Sequence, residues 1–64
     1  MNKIKIILKE QGRSQAWLAE KIGKSYVVTT NYVNNKTQPS LLILYKVAEA
    51  LNVDVRKLLT PSKG

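Results

Sequence analysis

The chain has 64 residues with no cysteine and no histidine, and its 11 lysines and arginines against 4 acids give a formal charge of +7 and a pI near 10.0. These values exclude a disulfide framework and a thiolate or imidazole metal site, and they remove the commonest general base. A single domain of this size buries only about 60% of its unfolded surface, so helix packing and self-association are expected to supply stability, and the basic charge favours an anionic partner.

No apolar run approaches the ~20 residues of a membrane span. The opening stretch Met1–Glu10 is too charged and too short in apolar residues for a secretory signal. A cytoplasmic protein with no membrane partner is expected.

In chain order, Ile4, Ile7 and Leu8 recur at helical spacing, with Lys3, Lys5 and Lys9 on or near the other face. They predict an amphipathic helix from Met1 to Gln11, closed by Gly12 as a left-handed residue. The alternation Lys3-Ile4-Lys5-Ile6 also fits a short strand, but no partner strand with turn chemistry lies nearby.

Residues 14–34 then read as two short helices about a corner at Gly23-Lys24-Ser25. Ser14 and Ser25 are natural N-caps, since each hydroxyl can accept a free N–H of the first turn. Leu18, Ala19 and Ile22 give the first helix its apolar stripe. Trp17 sits off that stripe, either as a rim residue or as a contact to DNA or a partner protein. The second helix is rich in β-branched residues, which lower helix propensity, so tertiary packing must hold it. Its outward side offers Tyr26, Val27, Thr30 and Asn31, with one of Val27 and Val28 expected to face inward. Asn35 is the expected left-handed residue after it. Two such helices with a tight turn, in a basic chain, suggest a helix-turn-helix.

Lys36-Thr37-Gln38-Pro39 is a polar loop, and Ser40 can cap the next helix. Leu41, Leu44, Ala48 and Leu51 recur at helical spacing and predict the strongest helix, Leu41 to Leu51, ended by Asn52. Asp54 caps a last short helix over Val55 to Leu59, and residues 60–64 read as a frayed tail.

In this order and spacing, Ser14-Gln15, Leu18-Ala19-Glu20-Lys21-Ile22-Gly23, Ser25, Asn34 with Lys36, Pro39-Ser40-Leu41 and Val47-Ala48-Glu49-Ala50-Leu51 through Leu58-Leu59 carry a resemblance. The chain resembles the Cro and lambda-repressor-like helix-turn-helix proteins, the XRE family, over nearly its whole length. The resemblance implies an all-α, compact five-helix domain that binds double-stranded DNA as a homodimer. By it, Tyr26, Val27, Thr30 and Asn31 match positions that face base edges. Ser14, Gln15, Asn34, Lys36 and Thr37 match positions near the DNA backbone, and Leu51, Val53, Val55, Leu58 and Leu59 fall in the segment that commonly forms the dimer contact. The chain departs from the family at five positions. Leu8 and Val33 stand where an arginine and a glutamate often pair, Thr29 and Lys24 replace frequent aliphatic residues, and Asn35 replaces a glycine.

The residues support the same reading on their own chemistry. Asn31 can bond an adenine edge bidentately, Val27 can touch a thymine methyl, and Thr30 can reach a base or bond back to its own helix. Tyr26 can meet a phosphate or base, or stack on Trp17. Arg13, Lys24 and Lys36 flank the unit and can neutralise phosphates. The acids Glu10, Glu20, Glu49 and Asp54 form no obvious pair, so neither an enzyme nor a cofactor or metal is expected. The rival reading is an antitoxin-like module whose first duty is to mask a toxin-like partner protein, with Trp17 and the last helix at that interface.

Overall fold

In a computed structural model, which describes residues 1–59, the chain forms α1 (Ile4–Gln11), α2 (Gln15–Ile22), α3 (Tyr26–Val33), α4 (Leu41–Leu51) and a terminal 3₁₀ turn (Val55–Leu58). The frayed tail expected for residues 60–64 lies outside the described residues. The fifth helix is thus a single tight turn, shorter than expected by Leu59, whose extended backbone forms an isolated antiparallel bridge with Asn2. No helix among the described residues is long and apolar enough to cross a membrane.

The helix boundaries follow from the capping residues. Ser14 accepts the Trp17 N–H at 3.0 Å, Ser25 that of Val28 at 3.1 Å and Ser40 that of Ile43 at 3.2 Å. Asp54 accepts the Arg56 N–H at 2.8 Å, and the Arg56 side chain closes onto both carboxylate oxygens. These bonds, the side-chain ones foremost, lower the Asp54 carboxyl to about 2. Each α-helix is followed within two residues by one in the left-handed region: Gly12, Gly23, Asn35 and Asn52. The following amide reaches back to close the last turn, from Arg13 to the Leu8 carbonyl (3.0 Å), Lys24 to Ala19 (3.1 Å), Lys36 to Asn31 (2.9 Å) and Val53 to Ala48 (3.0 Å). Asparagine therefore performs at positions 35 and 52 the task glycine performs at 12 and 23.

The first helix begins at Ile4 and not at Met1. Asn2 stops it: its side-chain oxygen accepts the Ile4 N–H at 3.0 Å. The next amide, Lys3, donates to the Leu58 carbonyl at 2.8 Å. This stitches the start of the chain to the terminal turn, and it is the one place where the strand-like alternation of the opening residues has a structural counterpart.

The core gathers Ile4, Ile7 and Leu8 from α1, Leu18 and Ile22 from α2, Val33 from α3, and Ile43, Leu44, Val47, Ala48 and Leu51 from α4, closed by Leu58. Leu8 and Val33 share this cluster, so apolar packing stands where the family often carries an ion pair. Two expectations about facing are corrected. Leu41 was expected in the inward stripe of α4, but it is exposed, and Ile43 takes that place. The inward set at 43, 44, 47, 48 and 51 keeps helical phase, and Leu41 lies outside it.

The second correction concerns α3. Neither Val27 nor Val28 faces inward; they are 68% and 37% exposed. Thr29 and Val33, four residues apart, turn to the core instead. Two inward side chains, the Ser25 cap and the closing turn at Asn35 hold as a helix a segment whose β-branched residues disfavour one.

Thr29 is fully buried and its hydroxyl oxygen has no hydrogen-bond partner. An unsatisfied buried hydroxyl is a net loss, and valine has the same shape without it. Thr29→Val is expected to stabilise the fold by about 1 kcal/mol, raising the thermal midpoint by roughly 5 °C. A lowered midpoint would show that the hydroxyl is satisfied in solution.

Candidate nucleic-acid interface

The turn between α2 and α3 fixes the site. Gly23 takes the left-handed conformation, Lys24 closes α2 through its amide, and Ser25 caps α3 at once. With Thr29 and Val33 anchored inward, Val27 and Asn31 come to the opposite side of α3, one turn apart. Tyr26 and Val27 are exposed, and Thr30 and Asn31 are half-buried. Core packing is therefore not the role of Val27.

The half-burial of Thr30 has a definite cause. Its hydroxyl donates to the side-chain oxygen of Gln15, at the start of α2, at 2.8 Å. Thr30 thus bonds across the turn and not back to its own helix. Gln15 and Thr30, expected at different parts of an interface, are brought together.

Past α3, the backbone amides of Lys36 and Thr37 both donate to the Asn31 carbonyl, at 2.9 and 3.3 Å. Those amides are occupied, so an anion at this loop would meet the side chains. Asn34, Lys36 and Thr37 are all exposed. The loop is held from the far end of the chain. The Asn2 amide nitrogen of the backbone donates to the Asn35 side-chain oxygen at 2.7 Å. Its side-chain nitrogen donates to the Tyr32 carbonyl and to the Gln38 side-chain oxygen, both at 3.0 Å. Asn35 returns a bond to the Asn2 carbonyl at 3.2 Å, and Gln38 donates to the Asn35 oxygen at 3.1 Å. Sequence reasoning missed Asn2 and Gln38. The available signal was an asparagine two residues before the first apolar position, since asparagine side chains bond the backbone two residues on.

Arg13, Ser14 and Lys24 are exposed beside the same turn. The Arg13 guanidinium lies 4.4 Å from the centre of the Trp17 ring, and the Lys21 ammonium lies 5.9 Å away. Trp17 is half-buried against the core and takes these cations on its ring. The ion pair present among the described residues joins Arg56 to Asp54, far along the chain from this cationic set. Among the same residues, no cluster of carboxylates could hold a metal ion.

The residues expected at a dimer contact divide. Leu51 and Leu58 are 2% and 0% exposed and pack inside the chain's own core. Val53 and Val55 are half-buried, and Leu59 is exposed. Away from α3, apolar surface is open on α4, at Leu41, Leu42 and Tyr45. It borders a groove of about 430 Å³ that Val53 and Val55 also line.

A family model described as Helix-turn-helix matches residues 4–58. The chain belongs to that family. Its members of the XRE type are what the ordered motifs of the sequence resemble, and membership makes the chain a binding protein and not an enzyme. No curated protein sequence matches the chain. Among the solved structures, four chains match. One is the crystal structure of a protein from Bacteroides fragilis proposed to bind DNA, 52% identical, with a TM-score of 0.88 over 91% of this chain and 94% of that one. The family's two-helix unit here is α2, the Gly23–Ser25 corner and α3.

Proposed function

We propose that the chain is a small transcriptional regulator that binds double-stranded DNA in a sequence-specific manner, as a homodimer on an inverted repeat. The observation that carries this reading is the outward side of α3. It offers short, uncharged groups at Val27 and Asn31 on a helix anchored by Thr29 and Val33, with Tyr26 exposed at its first position, within a helix-turn-helix. Such a helix enters a major groove without long charged side chains in its way. Arg13, Lys24 and Lys36 are exposed around it, with Ser14, Asn34 and Thr37 exposed and Gln15 half-buried, and would meet phosphates on either side. The likeness to a protein proposed to bind DNA supports the same conclusion.

A dimer is supported by α4. Leu42, Tyr45, Lys46 and Glu49 form one solvent-facing stripe at helical spacing, next to the groove lined by Val53 and Val55. A two-fold arrangement would cover the leucine and tyrosine of each copy. This surface, with Val53, Val55 and Leu59, replaces the buried Leu51 and Leu58 in the proposed contact.

Selection of bound duplexes from a random pool tests the reading. An enriched inverted repeat with half-sites about one helical turn apart is expected. Absence of any enriched sequence would overturn sequence-specific binding, and enrichment of single half-sites would overturn the dimer. On the selected duplex, Asn31→Ala should lose about 1–3 kcal/mol of discrimination at one base pair with non-specific affinity nearly intact. Lys36→Ala should weaken binding to every duplex and reduce the salt slope by about one unit. The reverse pattern in either variant would remove that residue from its role.

A further inference from the structure

The bond between Thr30 and Gln15 bears on how the helix-turn-helix holds the DNA backbone. Thr30 lies on α3 among the residues that would face bases, but its hydroxyl proton is committed to the Gln15 side-chain oxygen at 2.8 Å. That leaves Thr30 only acceptor capacity toward a duplex. It also sorts the two ends of the Gln15 carboxamide. The oxygen is engaged, and the nitrogen has no partner among the described residues and retains both donors. Gln15 is half-buried at the first position of α2, directly after the Ser14 cap, at the edge of the unit.

A phosphate oxygen accepts hydrogen bonds and donates none. A glutamine free to rotate presents its own oxygen to a phosphate as readily as its nitrogen, and the first arrangement is repulsive. A hydroxyl donor that captures the carboxamide oxygen leaves the nitrogen as the end that meets the anion. We infer that Thr30 is a positioning residue for a phosphate contact made by Gln15, and not a residue that reads a base. The contact is neutral, so it adds affinity without releasing a counterion. The inference rests on the proposed binding of duplex DNA, but not on its sequence specificity.

The test compares wild type with Thr30→Val, Thr30→Ser, Gln15→Ala and the double variant Gln15→Ala/Thr30→Val, using the full chain on the selected duplex and on a random-sequence duplex. Thermal melts establish that each variant is folded. Thr30→Val should weaken binding about 5-fold on both duplexes, the loss of one positioned hydrogen bond. Its salt slope and its base preference should match wild type. Thr30→Ser, which keeps the hydroxyl, should bind as wild type does. In the Gln15→Ala background, Thr30→Val should have no further effect. The inference is overturned if the Thr30→Val loss is confined to one base pair of the selected duplex, or if the two losses simply multiply. If the wild type binds neither duplex, the proposed function fails and the inference with it. Binding with a multiplicative pair overturns the inference alone.

Discussion

Leu58→Ala should destabilise the fold by about 3 kcal/mol and lower the thermal midpoint by roughly 15 °C. Leu58 has no exposed surface, and it closes the core cluster formed by α1 to α4. Truncation removes its transfer free energy and leaves a cavity that a short 3₁₀ turn is poorly placed to fill, because that turn is pinned at both ends. The Leu58 carbonyl accepts the Lys3 amide, and Asp54 caps the turn from below. A chain of 64 residues has a total stability of only about 3–10 kcal/mol, so the loss is a large fraction of the whole. Unfolding followed at two protein concentrations tenfold apart separates core from interface. The same drop at both is expected of a residue inside one protomer. A drop that appears only at the higher concentration would place Leu58 at a dimer contact after all.

Asn2→Ala is the second large effect, about 2 kcal/mol of stability and roughly 10 °C in midpoint. The substitution removes the acceptor of the buried Ile4 amide and the donor to the Tyr32 carbonyl and Gln38. Buried groups left without partners lose more than a typical hydrogen bond contributes, which is why a residue near the chain start matters this much. The two bonds that run through the Asn2 backbone, to and from Asn35, do not depend on the side chain. A stability within about 0.5 kcal/mol of wild type would show that the network contributes nothing net.

Much of this fold was legible because its punctuation is local. Ser14, Ser25, Ser40 and Asp54 announce helix starts, and Gly12, Gly23, Asn35 and Asn52 announce ends, all within a few residues of the bonds they make. The phase of α4 was harder. Its run of Leu41, Leu42, Ile43, Leu44 is apolar all round, so periodicity admits more than one inward face, and packing on α2 and the terminal turn decides it. In α3 every position from 26 to 30 is a tyrosine, valine or threonine, so hydrophobicity alone did not single out Thr29 as the buried one.

The candidate site was legible in its residue types and not in its couplings. Val27 and Asn31 could be named from helical phase, and Tyr26 from its side-chain chemistry at the start of α3. The bond from Thr30 to Gln15 joins residues 15 apart, and that from Asn2 to Asn35 joins residues 33 apart. Such pairings are set by how helices cross, and no window of sequence contains both partners. Two of the five residues expected at a dimer contact turned inward for a related reason. Leucines 51 and 58 are apolar enough for an interface, but the chain's own core had first claim on them.

The clasp between Asn2 and the loop at Asn35 has a practical side. Any polypeptide joined ahead of Met1 leaves the fold within one residue of the loop that carries Lys36 and Thr37. If that loop lies along a duplex, an affinity tag or fluorescent fusion attached there would be delivered at the DNA edge, and a polycationic tag would add phosphate contacts of its own. The same proximity makes this attachment point suited to a tethered cleavage reagent or dye that reports where on a duplex the protein sits.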